Sequence, residues 1–188
     1  MDVATSDELS RLRKRHAALP GIRAEREPGV VALATYVRYP FPLLAAGDPE
    51  RFLIAVEGTL RAADLSELTE EQLIWLRVRL AYFIATLLMH RHGGQLCVQD
   101  DHSRDFFTNY VVSNFERGLP AAAIVDPFVA AYMVLDVPPP RSVIAHIARY
   151  TPDPNVAEIT SPSRPLETQD ESASKRFRIP YVQGDLHG

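Results

Sequence analysis

The sequence predicts an α+β fold: about five helices around a long central one, with a small antiparallel sheet containing a hairpin over residues 95–112. Three observations lead there. A capped, strongly apolar helical stripe begins at Thr69. The pair Gly93-Gly94 stops it and is followed by two segments of strand character. Two Asp-Pro pairs, at 48–49 and 126–127, open further helices.

Residues 6–19 read as a short helix. Ser6 or Asp7 caps it, Asp7 and Glu8 suit its positive end, and Arg11, Arg13, Lys14 and Arg15 lie toward its negative end. Pro20-Gly21 is expected to stop it. The basic cluster is read as a solvated helix end rather than a site for RNA or an acidic partner. From Pro28-Gly29 to Tyr39 the residues Val30, Val31, Leu33, Tyr36 and Val37 favour an extended segment, closed by Pro40 and Pro42, so 30–37 is expected to add to the sheet.

Asp48-Pro49 places a cap and a first-turn proline where a helix prefers them, and Phe52, Leu53, Val56 and Leu60 follow at helical spacing, ending near Asp64. The next element carries the strongest signal. Thr69 and Gln72 match a reciprocal capping box, and Leu73, Leu76, Leu80, Phe83, Ile84 and Leu87 then form one stripe. Trp75, Val78, Tyr82, Leu88 and Met89 cover much of the rest, so the second half must be central in the fold or lie in a subunit interface.

After Gly93-Gly94, residues 95–99 alternate, with Leu96 and Val98 on one face and Cys97 on the other. Phe106 to Val112 is aromatic and β-branched, and residues 100–105 are the turn between them. Asp126-Pro127 starts another helix through Phe128, Ala131, Tyr132 and Leu135. Pro138-Pro139-Pro140 ends it and precedes a last helix with Val143, Ile144, Ile147 and Tyr150 inward. Residues 1–150 are thus expected to form one globular domain. Residues 151–176 are rich in Pro, Ser, Thr and charged groups and read as a flexible tail. At its end, residues 175–183 regain aromatic and aliphatic side chains after a basic pair, the pattern of a docking peptide, with Phe177 and Tyr181 as its binding residues.

Composition narrows the function classes. With 188 residues, 46% hydrophobic and 23% charged, the chain has ordinary globular character and can bury one core. A net charge of -4 supplies no general field for nucleic acid, which is not expected as a partner. The N-terminus carries charges where a secretory signal needs an apolar run, and the run Ala81–Met89 is about half the roughly 20 residues of a membrane span. A cytoplasmic location without membrane contact is the expectation, and the single cysteine suits a reducing compartment.

Residues 90–102 gather His90, His92, His102, Asp100, Asp101 and Cys97. Metal ligands must share one coordination sphere about 2 Å from the ion. Histidines two apart on a helix diverge, and an extended segment of five residues at about 3.3 Å each separates them from the later acids. Neither a metal nor a cofactor is expected. Histidines at a helix C-terminus and acids in a turn have ordinary structural roles.

The hairpin does return Ser113 and Glu116 toward His92, so a small hydrolase built on His92 with Glu116 or Ser113 is one functional reading. No G-x-S-x-G, phosphate loop or dinucleotide fingerprint accompanies it. A small-ligand pocket lined by Trp75, Tyr82, Phe107 and Tyr110 is another, although such aromatic residues are more often core. The first expectation is a non-catalytic binding or regulatory protein, homodimeric or with a protein partner, acting through an apolar surface or its C-terminal peptide.

Overall fold

The computed structural model describes residues 6–99, 110–120 and 122–149. Along the chain run α1 (Ser6–Tyr36), a 3-10 turn (Pro42–Leu44), α2 (Pro49–Arg61), α3 (Glu70–His92), β1 (Gln95–Val98), β2 (Tyr110–Ser113), α4 (Pro127–Asp136) and α5 (Val143–Ile147). Helices α1, α2 and α4 and strand β2 all contact α3, the long central helix expected from the sequence.

The N-terminal region departs from expectation. Pro20-Gly21 does not stop the first helix, and residues 30–37 are not a strand: α1 is one helix of 31 residues containing both Pro20 and Pro28. A proline inside a helix costs about 3 kcal/mol because it removes an N–H and crowds the preceding turn. Here the residues four positions before the prolines, His16 and Ala24, are exposed, so water can reach their carbonyls. On the opposite face, Glu8, Leu12, Arg15, Leu19, Ile22, Arg26, Gly29 and Leu33 alternate at steps of four and three, and each is at least partly buried. Val30, Leu33 and Ala34 are fully buried. Each large side chain so buried returns about 1.5–3 kcal/mol, which offsets the prolines.

Two arginines of α1 reach across to the rest of the fold. Arg23 donates from Nε and Nη2 to the Leu96 carbonyl at 2.9 and 2.5 Å. Arg26 donates to Thr86 Oγ1 at 3.3 Å and lies 3.6 Å from Met89 Sδ.

Helix α3 begins as expected. The Gln72 amide donates to Thr69 Oγ1 at 3.3 Å, and Gln72 Oε1 accepts from the Thr69 N–H at 2.9 Å. Every residue from Leu80 to Leu88 is buried, so no face of this segment meets solvent. Thr86 sits among them without penalty because its hydroxyl donates to the Tyr82 carbonyl at 2.8 Å. Helix α3 is also, among the described residues, the one helix long and apolar enough to cross a membrane by length and composition. The helix ends where Gly93 and Gly94 adopt φ of 71° and 85°, a backbone region that side chains disfavour.

Among the described residues the sheet is two-stranded and antiparallel, with Leu96 opposite Val112 and Cys97 opposite Val111. Leu96 and Val98 face inward, as the alternation requires. A single bridge adds Val125 to the other edge, through Val112 N–H to Val125 O at 2.8 Å and its reciprocal at 3.0 Å. The expected turn at 100–105 and strand start at 106–109 lie outside the described residues, as do 151–188.

Both Asp-Pro starts hold: Asp48 accepts from Arg51 N–H at 3.1 Å, and Asp126 accepts from Phe128 and Val129 N–H at 2.8 and 3.0 Å. Helix α2 ends at Arg61, short of Asp64, whose side chain instead organises a turn by accepting from Ser66. In α5 Val143 and Ile147 are buried, but Ile144, expected inward, is 46% exposed. One residue is 100° around a helix, and a five-residue helix has room to bury only one narrow face. Its start is held twice, by Ser142 Oγ and by Glu57 of α2, whose Oε2 accepts from Val143 N–H at 2.9 Å.

Candidate functional site

Two regions collect the residues that the sequence singled out. At the C-terminal end of α3 the chain leaving β2 folds back onto the helix. The Glu116 and Arg117 amides both donate to the His92 carbonyl, at 2.9 and 3.1 Å. Arg117 then donates through its guanidinium to the His90 and Arg91 carbonyls at 2.9 and 3.0 Å. These are carbonyls that a helix end leaves without partners, and a cation there also meets the negative end of the dipole. The return of this segment to the helix end follows the sequence expectation.

The side chains do not form a relay. His92 Nδ1 lies 3.1 Å from the Arg117 carbonyl, which makes Nδ1 the protonated nitrogen, while Nε2 is buried and has no hydrogen-bond partner among the described residues. The ring meets Phe115 edge-on at 6.2 Å between centroids. Ser113 Oγ instead lies 3.0 Å from Cys97 Sγ across the hairpin. The Glu116 carboxylate covers Gly93, where an added Cβ would come within 2.8 Å of Oε2. No side-chain hydrogen bond joins the His92 ring to Ser113 or to the Glu116 carboxylate. On α3 itself, Arg91 clasps Glu50 of α2 through two bonds of 2.6 and 2.7 Å, and this guanidinium holds the Glu50 carboxyl below its ordinary pKa of 4.5. Among the described residues no three His, Cys, Asp or Glu side chains gather around one point that could hold an ion.

The aromatic set divides. Tyr82 and Tyr110 converge on Phe128, with ring centroids 6.0 and 6.4 Å from it, and Tyr110 donates to the Arg15 carbonyl at 3.4 Å. Burial raises the Tyr82 hydroxyl pKa above 10.0, as desolvating a phenolate should. Phe107, Phe177 and Tyr181 lie outside the described residues. Trp75 stands elsewhere, at the other end of α3, where Tyr36 from the last turn of α1 packs against it at 5.5 Å. Arg79, one turn further along α3, places its guanidinium 5.2 Å from the Trp75 ring centre.

This ring pair helps to line a shallow, mainly apolar pocket of about 390 Å³, completed by Leu68, Glu71 and Gln72. The turn that follows α1 in the chain exposes Phe41 (49%), Leu43 (80%) and Leu44 (63%), and Tyr36 itself is 46% exposed. Tyr36, expected in a strand, is the last residue of α1, and Leu43 and Leu44 carry no motif in the sequence. The signal that would have found them is the four-three spacing on α1: it continues past both prolines and carries the helix to Tyr36, leaving the next residues as a turn.

Comparison of the chain with protein families, with curated proteins and with solved structures finds no match. The geometry of this chain is therefore what carries a functional reading.

Proposed function

We propose that the protein is a non-catalytic binding protein that works through protein–protein contacts, and that self-association is among them. The observation that carries this reading is the run of exposed apolar side chains at 36–44, above all Leu43 and Leu44, whose first member, Tyr36, also lines the Trp75 pocket. Single exposed apolar residues are ordinary; several within one short turn are the pattern of a contact surface. The hydrolase alternative draws no support from the hydrogen bonds of His92 and Ser113, each of which is engaged elsewhere.

Sedimentation velocity on the full chain tests this, alongside a variant carrying Leu43→Asp and Leu44→Asp. Concentration-dependent association of the unaltered chain, lost in the variant while thermal unfolding is preserved, is the expected result. A chain that stays monomeric up to about 100 μM, weaker than a functional contact would ordinarily be, removes the reading.

A further inference from the structure

We propose that the pocket lined by Tyr36 and Trp75 receives a short basic peptide bearing aromatic side chains, and that residues 175–182 of a second copy of this chain supply it. The proposal rests on the binding-protein reading and names the occupant of its surface. The Tyr36 and Trp75 rings, packed against each other, supply the aromatic part of the lining and Leu68 adds to its apolar surface, and about 390 Å³ is space for an aromatic side chain with part of its backbone. Trp and Tyr are the side chains that most often dominate the energy of a protein contact, because they desolvate a large area for little lost rotamer freedom.

Charge selects among apolar peptides. Glu71 lines the pocket, Glu70 is in the same first turn of α3, and Glu67 precedes it; all three are exposed. The positive end of a helix amounts to about half a charge, too little to cancel three carboxylates. Arg79 is engaged on the Trp75 ring, so it fixes the indole. An occupant should accordingly be cationic around an aromatic centre. The sequence Lys175-Arg176-Phe177-Arg178-Ile179-Pro180-Tyr181-Val182 fits both demands: three positive charges and two aromatic rings in eight residues.

Trp75 is the only tryptophan in the chain, so its emission reports the pocket directly. The full chain carrying Phe177→Ser and Tyr181→Ser, whose own copy of the segment cannot compete, is titrated with a synthetic peptide of the native sequence 173–184. A saturable change in Trp75 emission is expected, weaker at high salt and weakened at least about tenfold by adding Glu71→Lys to the receptor. The same peptide with both rings replaced by serine should not bind. In parallel, the Phe177→Ser, Tyr181→Ser chain should lose the self-association of the unaltered chain. No saturable change, equal binding of the ring-free peptide, or indifference to Glu71→Lys would each overturn the proposal. Association that survives loss of both rings but not the Leu43→Asp, Leu44→Asp change would also overturn it, while leaving the broader binding-protein reading standing.

Discussion

The ring of Tyr82 on α3 lies so close to the backbone of Gly29 on α1 that a Cβ at position 29 would overlap it. The two longest helices therefore meet at a point where one of them has no side chain. Gly29→Ala should destabilise the protein by about 1–3 kcal/mol through this overlap, even though alanine is the better helix former. Gly58 in α2 is the control: nothing lies within 4 Å of its added Cβ, and Gly58→Ala should stabilise by about 0.5–1 kcal/mol. Urea unfolding of both variants reads the opposite signs, and equal effects would mean the α1–α3 approach is looser than this.

Asp126 separates a cap from a charge. Its Oδ1 holds two amides of α4, whereas Oδ2 is buried and has no partner among the described residues, and burial raises its pKa above 3.8. A folded-state pKa above the unfolded one gives a contribution that is full below about 3.8 and lost as pH rises through the folded value. Asp126→Ala should cost about 1 kcal/mol at neutral pH, the worth of an N-cap. Asp126→Asn keeps the acceptor without the buried charge and should leave stability at pH 7 unchanged or slightly higher. A large loss in the asparagine variant would show that the carboxylate charge itself is needed.

His146 in α5 titrates in the other direction. Burial first, and the nearby Arg149 second, lower its pKa below 6.5. The unfolded chain then takes up a proton more readily than the folded one. The contribution of the neutral ring is therefore full above about 6.5 and falls away as pH drops through the folded value. Denaturant midpoints should decline from pH 7 to pH 5, and His146→Gln should flatten that part of the profile. An unchanged slope in the variant would assign the decline to other groups.

The Arg91–Glu50 clasp joins α3 to α2 with two short bonds, yet both side chains keep substantial solvent contact, 30% and 41%. Water and salt screen such a pair, so its net worth is about 1 kcal/mol or less. Because the pairing lowers the Glu50 pKa, the contribution is present above 4.5 and is lost as pH falls through the folded value. Glu50→Gln should cost no more than that at pH 7, and a double-mutant cycle with Arg91→Met measures the coupling. A coupling near zero at low salt would make the clasp geometric only.

Most of the helix starts were legible because the signals for them act between near neighbours. Thr69 and Gln72 bond each other's amides, Asp48 and Asp126 cap helices two or three residues ahead, and Gly93-Gly94 turns the chain at a backbone conformation that side chains resist. The alternation of Leu96, Cys97 and Val98 likewise needs only a strand with one buried face.

The candidate site was less legible, and Trp75 and Tyr36 show why. They are far apart in sequence, and their contact exists because α1 runs unbroken to Tyr36. Local reading broke α1 at Pro20-Gly21 and made a strand of 30–37, since a proline penalty is visible in the sequence while the burial that outweighs it is not. The sequence by itself determined the caps, the glycine stop, the hairpin strands and the central character of α3. The continuity of α1, the outward turn of Ile144 and the meeting of Tyr36 with Trp75 were decided by tertiary packing, because contacts between distant segments can exceed the few kcal/mol by which local preferences differ.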